Sequence, residues 1–255
     1  MRRAQLLSIA CCMAALSTPA AAADIRVLAT GVYASSLRDL AAPFERQTGD
    51  HIVLTITNAG GVLAKLAAHE DADVVMTASA GVDTLVARDD VRAETKVEVA
   101  RMRLGAAVKS GTALPDLTGE APLRAALLAA PAVAYIDPKG GGTSGAYFDG
   151  MLARLGVADA VHAKAVLCAT GADVAAAVAS GRAALGLTQA SELLDVPGLA
   201  FAGFLPEAVN AITPYAAAVT TRTRNPREAL SFIAFVTGPT GSDRLKKAGW
   251  DVGPR

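Results

Sequence analysis

Short apolar runs alternate with amphipathic ones along most of the chain, the pattern of an α/β fold with largely parallel sheets. Ile25-Arg26-Val27-Leu28-Ala29 reads as a first strand. After the turn Thr30-Gly31-Val32-Tyr33, Leu37, Leu40, Ala41 and Phe44 fall on one helical face. Ser36 and Asp39 predict a capping box for that helix, and Gly49 its end. Ile52 to Ile56 is a second strand, followed by the turn Asn58-Ala59-Gly60-Gly61 and a helix carrying Val62, Leu63 and Leu66. Asp73 to Thr77 is a third, leading into Ala78-Ser79-Ala80-Gly81. Ligands collect outside the carboxyl ends of parallel strands, so these three turns are expected on one rim.

The second half repeats the pattern. Val97 to Ala100 and Leu104 to Val108 read as extended, Pro115 to Pro122 as turn-rich, and Leu123 to Leu128 as helix. The strand Ala132 to Ile136 is stopped by Asp137-Pro138, since proline disfavours helical geometry in its predecessor. Lys139-Gly140-Gly141-Gly142-Thr143-Ser144-Gly145 then opens a helix with Tyr147, Phe148, Met151, Leu152 and Leu155 at helical spacing. Unpaired first-turn amides carry partial positive charge, which makes this glycine turn the leading anion site. It also spells G-x-G-x-x-G, but the next strand, Ala165 to Ala169, runs into Thr170-Gly171 without the acidic residue of a dinucleotide site. No Gly-Lys-Ser or Gly-Lys-Thr follows, so a phosphate loop is excluded too. A helix from Asp173 to Ser180, strands Ala184 to Thr188, Leu199 to Phe201 and Tyr215 to Val219, and a helix from Pro226 to Val236 complete the pattern. Phe44, Phe148, Phe232 and Phe235 belong to the core, and Trp250 packs onto the first lobe.

Arg2-Arg3, the apolar run Leu6 to Leu16 and Ala21-Ala22-Ala23 form a secretory signal, expected to be removed over residues 1–23. Cys168 is then the single cysteine, in an apolar run that suits packing, and no internal disulfide is expected. Losing Arg2 and Arg3 leaves 22 basic residues against 24 acidic ones, which argues against nucleic acid or an anionic membrane as partner. His51, His69 and His162 lack paired metal spacing. The nucleophile-elbow pattern is incomplete at Ser79 and Ser144. No catalytic residue, metal or cofactor is expected, and the chain reads as a non-enzyme.

Val27-Leu28-Ala29-Thr30-Gly31 before Leu37-Arg38-Asp39-Leu40, then Ala72 to Ala78 and Gly186-Leu187-Thr188-Gln189-Ala190-Ser191-Glu192, resemble in order and spacing the periplasmic molybdate-binding proteins of ABC importers. That resemblance implies a two-lobed periplasmic binding protein fold. Each lobe would be a mostly parallel sheet flanked by helices, with two crossover hinge segments joining them. Lobe one would comprise residues 24–103 and 211–255, lobe two 104–210. The implied protein is a periplasmic monomer that captures a small anion between its lobes and docks on a membrane permease. A membrane sensor fed by the closed form, or less readily an exported hydrolase, is the alternative.

Carried over residue by residue, the resemblance places the family's ligand positions at Val32, Asn58 and Gln189, and the turns themselves add Thr30, Gly31, Tyr33, Gly60, Gly61, Ser79, Gly141, Gly142, Thr143 and Ser144 as ligand-binding candidates. The family's serines have become Val32 and Asn58, and its tyrosine Gln189. This leaves a roomier site rich in amides and hydroxyls, suited to a molybdate-like oxyanion or to an organic polycarboxylate. Lys139 is read as a solvated loop residue, with charge at the rim as the lesser alternative, and Tyr215 lies close to the predicted second crossover, with entry into the cleft as its lesser alternative.

Overall fold

The computed structural model describes residues 22–253. The expected secretion signal lies, but for its last two residues, outside them.

Among the described residues, nine strands form one strongly mixed sheet: β1 (Asp24–Thr30), β2 (His51–Thr57), β3 (Val74–Ala78), β4 (Val97–Lys109), β5 (Val133–Ile136), β6 (Ala165–Cys168), β7 (Leu185–Gln189), β8 (Leu199–Phe204) and β9 (Ile212–Val219). Their order is β2-β1-β3-β9-β4-β7-β5-β6, with β8 also on β4. The pairs β1–β2, β1–β3, β5–β6 and β5–β7 are parallel, as the alternating pattern predicts. β9 runs antiparallel to β3 and β4, and β4 antiparallel to β7 and β8.

The two extended segments expected at 97–100 and 104–108 are one strand of 13 residues. Arg101 and Arg103 point outward while Met102 is buried, so the apparent polar break is ordinary strand alternation. The strand changes partners midway. Val97 to Arg103 pair with β9, and from Leu104 onward the partners are β7 and β8. Asn210 clamps this switch: its Oδ1 accepts from the Leu104 amide at 2.9 Å, and its Nδ2 donates to the carbonyls of Leu104 and Leu205 at 3.1 and 2.9 Å.

Helices cover both faces of each half: α1 (Ala34–Thr48), α2 (Ala59–Ala67), α3 (Ser79–Ala87), α4 (Glu120–Ala129), α5 (Thr143–Arg154), α6 (Ala158–His162), α7 (Gly171–Ala179), α8 (Pro226–Thr237) and α9 (Pro239–Lys247). On β1, Ile25, Val27 and Ala29 pack towards α1 and α8, while Leu28 packs on the other side with Val62 of α2 and Leu85 of α3. In the other half, Val133 and Tyr135 of β5 meet Phe148 and Leu152 of α5, while Ala134 and Ile136 meet Val174 and Val178 of α7. Strands buried on both faces explain why their sequences are continuously apolar.

Two local expectations change. A 3-10 turn, Gly31–Tyr33, runs directly into α1, whose N-cap is Tyr33, so Ser36 is a buried residue of the helix interior and no capping box forms with Asp39. A true capping box occurs at Thr170 and Asp173, at the start of α7. Gly49 does end α1, at φ 84°.

Replacing Asn210 with Ala removes the side-chain partner of the Leu104 amide and of the Leu205 carbonyl at the point where the halves join, while the Leu104 carbonyl keeps the Leu205 amide. The expected cost is about 2 kcal/mol, read as a calorimetric melting temperature lowered by roughly 5 °C.

Candidate functional site

The carboxyl ends of β1, β2, β5, β6 and β7 meet at one narrow cleft with a free volume of about 30 Å³. Each contributes a chain reversal. β1 supplies Thr30, Gly31 and Val32, and β2 supplies Thr57, Asn58 and Ala59. β5 leads through Ile136 to Gly142, Thr143 and Ser144, β6 to Thr170 and Gly171, and β7 to Gln189 and Glu192. Tyr215 enters from β9. Four of these reversals are helix starts: the 3-10 turn leading into α1, and the first turns of α2, α5 and α7. The positive ends of these helix starts give the cleft an anion-favouring potential although, among the described residues, no lysine, arginine or histidine lines it; the Gly60, Gly61 and Asp173 amides are already engaged within the protein.

Three side chains on this wall are buried to within a few per cent and have no protein hydrogen-bond partner: Thr30 through Oγ1, Ser144 through its hydroxyl, and Gln189 through both Oε1 and Nε2. Buried polar atoms are normally paired, so such a cluster in one cleft marks groups available to a ligand. Tyr215 is almost fully buried, and burial, followed by the charge of Glu192, pushes its phenol above the usual range, while a hydrogen bond with Thr143 opposes the shift. It is held in place by Trp250, edge-on at 5.2 Å, which in turn stacks on Tyr33 at 4.7 Å.

Glu192 is the one acidic residue of the cleft wall. Its carboxyl lies between Gly31 and Gly171: a Cβ on Gly31 would meet Oε1 at 2.6 Å, and one on Gly171 would meet carboxyl atoms at 2.0 to 2.4 Å. Thr188 donates to Oε2 at 2.7 Å. Burial pushes the Glu192 carboxyl up to about 7, with the Thr188 hydroxyl and the Gln189 amide pulling the other way. The residue keeps some exposed surface on a flanking groove that it shares with Arg38.

The structure gathers eight of the thirteen residues expected from the sequence at this cleft: Thr30, Gly31, Val32, Asn58, Gly142, Thr143, Ser144 and Gln189. The other five sit beside it. Tyr33 points into the core beneath Tyr215. Ser79 opens α3 away from the cleft wall, its hydroxyl buried without a partner. Gly61 donates to the Asn58 side chain at 2.7 Å, making Asn58 the N-cap of α2. Gly60 donates to the Gly141 carbonyl at 3.0 Å, and a Cβ on either would come within 3.2 Å of the other's Cα, tighter than ordinary contact, so glycine at both positions suits this approach. Asn58 spends its amide donors on the carbonyls of Gly140 and Ala169, at 3.1 and 3.3 Å, and so works as a latch across the cleft. Lys139 does not line the cleft.

Thr57, Ala59, Ile136, Thr170, Gly171, Glu192 and Tyr215 line the cleft in addition. Gly171 was legible in principle, as the glycine after the strand Ala165 to Ala169. Glu192 lies at the end of the motif Gly186 to Glu192 that carries the resemblance, but no local pattern there marks it as part of the cleft wall.

Residues 25–251 match the family described as bacterial extracellular solute-binding protein. A curated relative named aconitate isomerase, from a Pseudomonas species, is 28% identical over 243 residues, which cover 91% of each chain. Among solved structures, the periplasmic molybdate-binding protein of Azotobacter vinelandii aligns with a TM-score of 0.78 at 21% identity, over 91% of this chain and all of that one. A sulfate-binding protein of Mycobacterium tuberculosis aligns at 0.73 with 14% identity, over 91% of this chain and 88% of its own. These structural likenesses establish a periplasmic binding protein fold, and the match over residues 25–251 identifies the chain as a member of the bacterial extracellular solute-binding protein family.

Proposed function

We propose that this chain captures a small organic polycarboxylate in the cleft, as the periplasmic component of an ABC importer. The supporting observation is the wall itself: helix starts, buried hydroxyls and an unpaired carboxamide surround an anion site that contains no basic side chain. A multi-carboxylate ligand spreads its charge over several such donors. A hydrogen bond to a charged group contributes about 1.5 to 3 kcal/mol, so a few reach the roughly 8 kcal/mol of micromolar affinity after association costs. The relative's name points to the ligand class, since aconitate is a propenetricarboxylate. The compact oxyanions of the structural neighbours define the second reading: the same amides could surround molybdate or sulfate.

In this proposal residues 24–103 and 211–255 form one lobe and 104–210 the other, hinged where β4 changes partners. The ligand docks on one lobe, and closure brings Gly60 onto Gly141 and Asn58 onto Gly140 and Ala169. The closed form is what a permease would recognise. Capture and release need no general base, so Glu192 stands apart from this role.

The purified chain lacking residues 1–23 is expected to gain melting temperature with cis- or trans-aconitate and other tricarboxylates, more than with molybdate, tungstate, sulfate or phosphate. A rise with molybdate or tungstate alone would replace the polycarboxylate reading with the oxyanion one. Calorimetric titration of Ser144→Ala and Gln189→Leu is expected to show the preferred ligand bound roughly ten-fold or more weakly by each, the loss of one hydrogen bond to a charged group. Unliganded stability should not fall, because both substitutions remove a buried polar group that has no protein partner. Unchanged affinity in both variants would show that these side chains do not face the ligand.

A further inference from the structure

A carboxylate is an odd wall for an anion site, since it repels the ligand it faces and the neighbouring cation, Arg38, lies in the flanking groove and not on that wall. Hydroxyls or amides alone would bind better. Glu192 is nevertheless built in. Its carboxyl occupies a slot left by two glycines, Gly31 and Gly171, and is oriented by Thr188, whose own side chain is fully buried. Both glycines start helices, so the carboxyl sits at the edge of the anion pocket between the two halves of the fold. Unpaired Ser144, Thr30 and Gln189 share the same pocket. This arrangement places one acid–base group against a ligand whose own charges are held by amides.

We propose that Glu192 moves a proton between two carbons of a bound unsaturated polycarboxylate, so that the site isomerises its ligand as well as holding it. The inference rests on the polycarboxylate reading above. In a propenetricarboxylate the methylene hydrogens lie beside one carboxylate and are allylic to a double bond that carries two more. The Glu192 carboxylate takes one methylene proton: the C–H bond breaks, its electron pair enters the allyl system, and a Glu192 O–H bond forms. The O–H then breaks as the proton is returned to the far carbon of the allyl unit, which becomes the new methylene. The double bond has moved, nothing is oxidised or reduced, and Glu192 is a carboxylate again. Charge that builds on the ligand's carboxylates in the intermediate is met by the helix-start amides, which are already oriented. A carboxyl group raised to about 7 is a stronger base than an ordinary glutamate while remaining partly ionised at neutral pH. Thr188 is a positioning residue, touching Glu192 and absent from the cleft wall.

The titratable groups around Glu192 are Tyr215 on β9, Arg38 of α1 in the flanking groove, and Asp173 in the first turn of α7, which is engaged by Thr170. Tyr215 stays protonated through the neutral range, so the acid limb of the pH profile belongs to Glu192.

The test is proton NMR of cis-propenetricarboxylate in deuterated buffer with the purified chain, alongside melting curves with the same compound. The wild type is expected to form the trans isomer with solvent deuterium in it. Its kcat/KM should fall as pH drops through about 7. Glu192→Gln should lose at least a hundred-fold in rate yet keep the ligand-induced rise in melting temperature, which shows that it folds and binds. Thr188→Val should remain active with its acid limb moved to higher pH, since the lost hydrogen bond favours the carboxylate. A wild type that is stabilised by the compound but forms no trans isomer would overturn the proposal and leave the capture reading standing, as would a Glu192→Gln variant of undiminished rate for the role of Glu192. A wild type that no polycarboxylate stabilises removes the capture reading and this proposal together.

Discussion

The proposed function depends on one physical constraint, that an anion be enclosed without a cation. An enclosed anion loses its water shell, and that loss is recovered only if fixed dipoles replace the water. The fold meets the requirement by topology. Parallel strands in both halves end facing each other, and a parallel strand that turns into a helix delivers unpaired amides at its end. The mixed sheet, with β4 running from one half into the other, brings the two rims together. Glycines let the rims touch: Gly60 against Gly141, and Gly31 and Gly171 against Glu192, are contacts that a single methyl group would obstruct.

The same constraint explains which side chains are tolerated in the wall. Thr30, Ser144 and Gln189 are uncharged, buried and unpaired, a costly arrangement in a closed core and a useful one at a binding surface. Tyr215 is fixed by an aromatic group whose other members, Tyr33 and Trp250, belong to the core of the first half. Trp250 comes from the end of the chain, so the last residues support the site from behind. Glu192 is the exception to the rule of neutrality, and its burial is reconciled with an anion nearby only by its holding a proton for part of the time.

Much of the architecture was legible because it is written in periodicity. The strands buried on both faces appear as continuous apolar runs, and Gly49 and Pro226 mark helix boundaries for stereochemical reasons. The failures have local causes. Arg101 and Arg103 made one strand look like two, because outward arginines on a strand resemble a loop. Ser36 resembled a cap, but the 3-10 turn at Gly31 had already begun the helix. α3 and α9 were not anticipated, since a run of small residues after Ala78 and a polar run after Pro239 carry little helical signal of their own. At the cleft, turns after strands were visible as glycine and hydroxyl clusters, which is why Thr30, Gly142, Thr143 and Ser144 could be named. Asn58 was visible as a polar turn residue, but its role as a latch depends on Gly140 and Ala169, more than eighty residues away. Glu192 depends on Gly31, Gly171 and Thr188 together, a convergence that no single stretch of sequence contains.

The central claim is that a ligand anion and the Glu192 carboxyl share an enclosed site held by amides. Calorimetric titration of the wild-type chain with a polycarboxylate at pH 7, in two buffers of different ionisation enthalpy, counts the protons exchanged on binding. A negative ligand beside a carboxyl poised at about 7 must raise its proton affinity, so the account predicts net proton uptake that disappears in Glu192→Gln. Binding with the same heat in both buffers, and hence no proton taken up, would contradict it.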